Sequence, residues 1–318
     1  ETFSIFFENK KYDESKIIRN SIKKYGFKNH SLLLNKENVL SNLDTIFKIS
    51  EPLSDTSIIP TYILSKFSKE YVDVCLTGDG ADEMFYGYNV FNALFTSYFI
   101  DKFGLSTKSI FNKINFNEGN NYFNPMFIIK KFLKGFESKN YNRFQNYMSQ
   151  IYSNQLNKIT KVSNNNSDYS FNSVNEFMVF NRNWIQDNYL LNNILVKADM
   201  ASMKASLELR SPFLDINILK TDAFNENFRI NHKKKIFYRY FNKDIDKKIL
   251  FQKKHGFAVP NEIIFNKDIS EYFYEIKDIF DINMNELKKL FNLNLNNRIN
   301  LKNFFWGYIH LNKIIDRH

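Results

Sequence analysis

The segment Leu76 to Tyr88, LTGDGADEMFYGY, concentrates the side chains best able to do chemistry. Asp79, Asp82 and Glu83 put three carboxylates within five positions, interrupted by Gly80 and preceded by Gly78. Glycine lets backbone N–H groups approach an anion closely, and in open parallel sheets ligands collect outside the carboxyl ends of strands. Tyr71 to Leu76 (YVDVCL) reads as such a strand, so Gly78 and Gly80 stand where a ligand is expected. Hard carboxylate oxygens of this kind suit Mg²⁺ carried by a nucleotide phosphate. On spacing alone, a solvent-exposed acidic turn explains the segment equally well.

A second cluster runs from Lys197 and Asp199 to Glu208-Leu-Arg-Ser-Pro-Phe-Leu-Asp215. A helix over Val196 to Leu207 is expected to carry Val196, Met200, Met203 and Leu207 as its apolar stripe. Beyond it, Pro212, Phe213 and Leu214 are expected to be buried between Arg210 and Asp215, which read as scaffold residues. The third cluster is Lys233-Lys234-Lys235-Ile-Phe-Tyr-Arg239, followed by Lys253-Lys-His-Gly-Phe-Ala-Val-Pro260. A basic run at a helix start is ordinarily a solvated face, and His255 beside Gly256 suits a turn. Position alone selects no single lysine.

The elements that must position these groups alternate. Thr2 to Phe7 (TFSIFF) is β-branched and aromatic, as a buried strand requires. Asp13 is placed to cap a helix carrying Ile18, Ile22 and Tyr25, and Gly26 to end it in a left-handed conformation. Ser31 to Leu34 reads as the next strand. Ser57 is placed to cap a further helix with Pro60 in its first turn and Ile63 and Phe67 on one face. Strand, helix, strand, helix, strand in this order indicates an α/β fold with a parallel sheet. From Asn89 to about Ser170 the spacing is helical, with a polar surface loop at Ser163 to Asp168, and the tail from Asp268 is helical again. A helical insertion over about 89–180 in one domain spanning 1–318 follows.

Composition removes whole classes. Apolar residues are 43%, charged residues 25% and aromatic residues 17% of the 318, with only 9 Gly and 5 Pro. Such a chain buries a core and is neither disordered nor collagen-like. Cys75 is the single cysteine and so has no partner for an internal disulfide; it reads as a small buried hydrophobe. With no long uncharged apolar run or secretory leader, the expected location is cytoplasmic and no membrane partner is expected. The net charge of +10 is spread over scattered lysines rather than an Arg-rich stripe, so nucleic acid is not expected as a partner. Glu1, not Met, opens the chain directly onto a strand pattern, as though a preceding segment had been removed.

Taken together, TGDGADEMFYGY, ILVKADMASMKASLELRSPFLD, KIFYR and KKHGFAVP resemble, in order, the motifs of the synthetase domain of glutamine-dependent asparagine synthetases. FSIFFENKKYDES and EPLSDTSIIPTYILSKF also resemble that domain, and the likeness covers roughly Thr2 to Pro260. It implies a doubly wound, mostly parallel ATP pyrophosphatase fold with added helices. The implied reaction activates the side-chain carboxylate of aspartate on the α-phosphorus of MgATP, and ammonia then displaces AMP from the β-aspartyl-adenylate. By the same likeness, Ile5 lies on the strand lining the adenine pocket, and Thr77 and Gly78 contact the nucleotide. Asp82 matches the Mg²⁺-binding carboxylate, and Asp79 the acidic residue that positions or deprotonates ammonia. The K-x-x-x-R spacing back from Arg239 selects Lys235 to hold phosphate and stabilise charge at phosphorus. Asp55 and Ser57 belong to the stretch resembling the aspartate-binding side.

Phe6, Leu191 and Met200 depart from the usual Gly, Pro and Arg of the family, which bears on substrate detail. The family's Ser-Gly-Gly-x-Asp-Ser pyrophosphate loop and its glutaminase domain have no counterpart in these residues. The likeness therefore implies the later part of a longer enzyme, inactive alone, that receives ammonia from a glutaminase domain, with a homodimer as the expected form when entire. Two alternatives stand beside it: a paralogue that amidates another carboxylate, such as a sugar acid or a lactam precursor, and a non-catalytic scaffold.

Overall fold

A computed structural model describes residues 1–7, 15–49, 51–104, 125–137, 143–149, 151, 153–160, 170–221, 226–251, 259, 261–265, 281–296 and 298–315. Asp13 and the Lys253–Gly256 segment lie outside them. The chain forms two compact units, Glu1–Gly87 with Ile185–Asn266, and Tyr88–Trp184 with Lys267–His318.

In the first unit, strand β1 (Thr2–Phe7) pairs in parallel with β2 (Asn29–Leu34), Thr2 opposite Asn29 and Phe7 opposite Leu34. Ile5, Phe7 and Leu34 are buried, as the apolar strand composition requires. The helix between them, Ser15–Tyr25, ends where the Gly26 N–H bonds the Ile22 carbonyl at 2.9 Å with φ +70°, the left-handed stop expected of that glycine. Asn35 caps the next helix, Lys36–Phe47, by accepting the Asn38 N–H at 2.8 Å. Val39 and Ile46 of that helix and Ile58, Ile59, Tyr62 and Ile63 of the Ile58–Lys69 helix fill the core around this ladder.

A second parallel ladder joins β3 (Val74–Leu76) to β4 (Glu208–Arg210), Val74 opposite Glu208 and Leu76 opposite Arg210. Two corrections belong here. The strand expected over Tyr71–Leu76 shortens to three residues, because Tyr71 and Val72 donate their N–H groups back to Ser68 and prolong the helix end as turns. Among the described residues the parallel pairing is seen as two two-stranded ladders, and the whole of the expected doubly wound sheet is not seen in them. Within this ladder Leu76 is 73% exposed, and Cys75 is half-buried rather than buried; burial pushes its thiol above the usual range.

The helix Val196–Lys204 follows a π-helical segment, Ile185–Leu195. The expected stripe is met in part: Leu207 is buried just past the helix end and Val196 and Met200 are half-buried, but Met203 is 59% exposed, and within the helix Ala198, Ala201 and Ser202 are the buried residues. This helix packs on Ile58–Lys69, and small residues let two helix axes approach closely. Period alone does not see that small residues seat a close helix, so it missed Ala198, Ala201 and Ser202 and overvalued Met203.

The second unit is helical among its described residues. Its core carries Phe91, Phe144, Tyr147, Phe177, Phe291, Phe305 and Trp306. Two buried cations brace it. Arg143 pairs with Asp101 Oδ2 at 2.6 Å and lies 4.3 Å over the Phe136 ring, and Lys134 donates to the Ser149 carbonyl at 2.9 Å. No helix among the described residues is long and apolar enough to cross a membrane.

Candidate functional site

The carboxyl end of β3 is locked before it turns. Thr77 N–H donates to the Arg210 carbonyl at 2.9 Å, extending the ladder by one bond, and Ser211 follows Arg210 on the neighbouring strand. The Thr77 hydroxyl donates to Asp79 Oδ2 at 2.9 Å and lies 3.0 Å from the Ser211 hydroxyl. Asp79 is therefore held by a short side-chain chain rooted in both strands. Thr77, Asp79 and Asp82 are half-buried, Gly78 is exposed and Gly80 is buried.

Gly80 adopts φ +87°, and a Cβ there would fall 2.3 Å from Leu214 Cδ2, so neither the conformation nor the space admits a side chain. Gly78 is different: a Cβ built on it meets nothing within 4 Å, so this structure places no steric demand on that glycine. After Gly80 a short helix, Ala81–Met84, carries Asp82. Gly87 closes the turn by donating its N–H to the Asp82 carbonyl at 2.7 Å. A Cβ at Gly87 would lie 2.0 Å from Asp82 Oδ1 and 2.8 Å from its Cα. The Asp82 carboxylate as it lies therefore requires a glycine at 87, which was not singled out from sequence because a glycine's neighbour across a turn is invisible in spacing.

Beneath the loop lies an apolar cluster of Met84, Phe85, Leu190, Ile194 and Ile236, with Phe213, Leu214 and Phe237 packed against it. Phe213 stacks on Phe237 at 5.5 Å, and Phe85 meets Phe237 edge-on at 5.5 Å. The expected apolar plug is only partly correct: Phe213 and Leu214 are half-buried, whereas Pro212 is exposed. Arg210 and Asp215 do not frame it as a pair. Arg210 Nε bonds Glu208 Oε1 at 2.8 Å on the surface, and Asp215 accepts the Asn217 N–H at 2.7 Å.

The cluster also positions the lysine run. The helix His232–Phe241 begins after Asn231, whose φ of +58° suits a residue that tolerates the left-handed region. Ile236 is buried in the cluster, which directs Lys233 toward the loop. Lys233 Nζ pairs with Asp82 Oδ1, with only 20% and 12% of the two side chains exposed, and lies 5.9 Å from the Phe237 ring centre. Two residues along a helix turn about 200°, so Lys235 faces the other way. Lys235 is exposed, and no side-chain partner of it is found among the described residues. Arg239, four residues on, pairs with Glu226. The structure thus brings Asp79, Thr77, Gly80 and Asp82 to one loop, and it brings Lys233 rather than Lys235 onto Asp82. Ile5 is on the other ladder and its side chain is buried in the core.

Asp55, Ser57 and Lys197 form a separate group. Lys197 Nζ donates to Ser57 Oγ at 2.8 Å and to Asp55 Oδ2 at 3.1 Å, while Ser57 N–H donates to Asp55 Oδ1 at 2.9 Å. The expected capping role of Ser57 is corrected: its side chain makes no cap bond, because Lys197 uses its hydroxyl. Burial pushes the Asp55 carboxyl up, and the Lys197 charge together with the Ser57 N–H and hydroxyl outweighs it, leaving it below the usual carboxylate range.

Comparison with known proteins adds the context of this loop. The family model "Asparagine synthase" matches residues 1–280. The chain is 26% identical over 297 residues to asparagine synthetase [glutamine-hydrolyzing] 1 of Bacillus subtilis, covering 86% of this chain and 45% of that protein. It is 38% identical over 88 residues to putative asparagine synthetase [glutamine-hydrolyzing] 2 of Methanocaldococcus jannaschii, covering 27% of this chain and 17% of that one. A putative asparagine synthetase [glutamine-hydrolyzing] of Mycobacterium bovis is 25% identical over 91 residues, covering 28% and 14%. The chain spans less than half the length of each of these relatives.

Proposed function

Given that the chain belongs to the asparagine synthase family, we propose that it carries the synthetase part of an ATP-dependent ligase that amidates aspartate to asparagine with ammonia released from glutamine. The observation that carries this reading is the loop at the carboxyl end of β3, where two carboxylates are held in different ways within four residues. Asp79 is oriented by Thr77, and Asp82 already faces a cation. Such a division suits a reaction with two separate needs: a proton acceptor at the attacking amine, and charge neutralisation at the departing pyrophosphate.

In the first half-reaction an oxygen of the aspartate β-carboxylate bonds the α-phosphorus of ATP as the bond to the bridging oxygen breaks, and pyrophosphate leaves. In the second, ammonia bonds the acyl carbon, AMP leaves with the former carboxylate oxygen, and one proton is shed from nitrogen. Asp79 is placed to position that amine and take its proton. Lys235, exposed in the first turn of the His232–Phe241 helix and turned away from Asp82, is read from the motif spacing as a cation for phosphate oxygens, and the positive end of that helix favours the same anion. Thr77, Gly78 and Gly80 present backbone and hydroxyl groups to the nucleotide. Because the Ile5 side chain is buried, β1 meets adenine through its backbone.

Asp82 is the residue that would hold Mg²⁺. Among the described residues no group of three His, Cys, Asp or Glu forms a metal cluster, so a full protein cage for the ion is not found there. That fits a hard cation that keeps several waters and is otherwise bound by phosphate oxygens. The Lys233 ammonium paired with Asp82 supports this reading, since the carboxylate already meets one positive charge where it stands. When bound, the ion supplies charge neutralisation for the leaving pyrophosphate.

We read the two parallel ladders as parts of one doubly wound sheet. The whole chain is read as one synthetase-type domain with its helical insertion over about 89–180, acting in the cytoplasm, with a homodimer as the form of the entire enzyme. ATP–pyrophosphate exchange in the full-length protein tests the function. Exchange that depends on aspartate is the expected result; exchange that another carboxylic acid supports and aspartate does not would replace the acceptor, and no exchange with any acid would remove the ligase reading.

A further inference from the structure

The Asp82 carboxylate, given above to the divalent cation, is not waiting for one. Lys233 Nζ sits on its Oδ1, and both side chains are largely shielded from water. The contact is built from three sides. Gly87, having no side chain, admits Asp82 Oδ1 at a place where a Cβ would lie 2.0 Å from that oxygen. Ile236, buried in the apolar cluster, fixes the face of the helix from which Lys233 reaches across. The Phe237 ring lies under the Lys233 stem at 5.9 Å from the ammonium, a second partner that the charge keeps when it leaves the carboxylate. Lysine suits such a task better than arginine, being a compact charge on a flexible four-carbon stem with no bidentate grip.

We infer that Lys233 is the resident counter-cation of Asp82, which a divalent cation must displace before it can bind there. This rests on the assignment of Asp82 to Mg²⁺ and gives Lys233, which motif spacing passed over in favour of Lys235, a role of its own. A carboxylate half-buried without a counter-charge is costly, and the lysine removes that cost until the cation arrives with its nucleotide. The same competition weakens binding of a bare divalent ion, so that cation and triphosphate enter together. Displaced onto Phe237, the ammonium is still within the site and faces incoming phosphate oxygens.

The test is direct titration of Mn²⁺ into the full chain without nucleotide, with free Mn²⁺ counted by electron paramagnetic resonance. Removing one competing unit charge at contact distance, in Lys233→Met, is expected to tighten Mn²⁺ binding by about tenfold. Lys233→Gln, which keeps a polar stem, is expected to do the same, and Lys233→Arg, which keeps the charge, to stay near the parent value. Near-ultraviolet circular dichroism identifies any variant that has lost its packing, and the two neutral variants provide independent readings. Unchanged or weaker Mn²⁺ binding in both neutral variants overturns the inference. Asp82→Asn separates the two levels: loss of Mn²⁺ binding in Asp82→Asn with no gain in the Lys233 variants removes the counter-cation role alone, whereas retention of parent-like binding in Asp82→Asn removes the Asp82 metal assignment and the inference with it.

Discussion

Two lysine–aspartate pairs in the first unit look alike and are built differently. Lys197 with Asp55 and Lys233 with Asp82 each join residues far apart in sequence, and each is largely shielded from water. Around Lys197 the polar groups close on one another: both Asp55 oxygens are engaged, the Ser57 hydroxyl takes the lysine as well, and the helices bearing them pack through small residues. Around Lys233 the pair is backed by an apolar cluster, with aromatic rings beneath and a glycine-bounded loop above. Polar closure makes a fixed joint, while the aromatic backing of Lys233 suits the exchange inferred above. The difference teaches that burial and an ion pair do not by themselves mark a site; what surrounds the pair does.

The largest expected effect breaks the fixed joint. Lys197→Met leaves Asp55 buried without its counter-charge and is expected to lower stability by about 3 kcal/mol, read from urea unfolding. The same joint predicts an acid limb. Because the folded-state carboxyl of Asp55 lies below its ordinary value, its contribution is complete above the unfolded value near about pH 4 and is lost as pH falls through the lower folded value. Unfolding curves between neutral pH and about pH 3 should show this loss in the parent chain and a smaller one in Lys197→Met.

On the exchangeable side, Gly80→Ala forces a side chain into a left-handed conformation and onto Leu214, a cost of about 2 kcal/mol in thermal or urea unfolding. If Gly80→Ala proves neutral, the loop is softer than its contacts imply and the contrast between the two pairs narrows. Thr77→Val removes the hydroxyl between Asp79 and Ser211 and is expected to cost about 1 kcal/mol, with the rate of asparagine formation falling more than the rate of ATP–pyrophosphate exchange because Asp79, assigned to the amine, loses its orienting donor. The smallest effect comes from the surface pair Arg210–Glu208. Arg210→Ala should change stability by about 0.5 kcal/mol or less, a control showing that an ion pair next to the loop is not enough to matter.

Much of this was legible from the residues. The Gly26 stop and the first strand follow from local rules, because backbone conformation at a glycine and burial of alternating apolar groups depend on near neighbours. The carboxylate-rich loop was legible as a candidate for the same reason, since its strand and glycines are contiguous with it. What was missed required distant partners. The buried face of the Val196–Lys204 helix was set by how closely another helix approaches, and Ser57 was taken as a cap because the lysine that engages its hydroxyl is 140 residues away.

By itself, then, the sequence determined the α/β class, the family and the loop at the end of β3, all of which rest on motifs and contiguous patterns. Only the tertiary structure decided which cation meets which carboxylate. A run of three lysines offers the same charge at each position, and the choice of Lys233 for Asp82 comes from a helix rotated by the burial of Ile236 and a carboxylate that Gly87, having no side chain, admits. Charge type is written locally, but its direction is set by packing, and packing is a property of the whole fold.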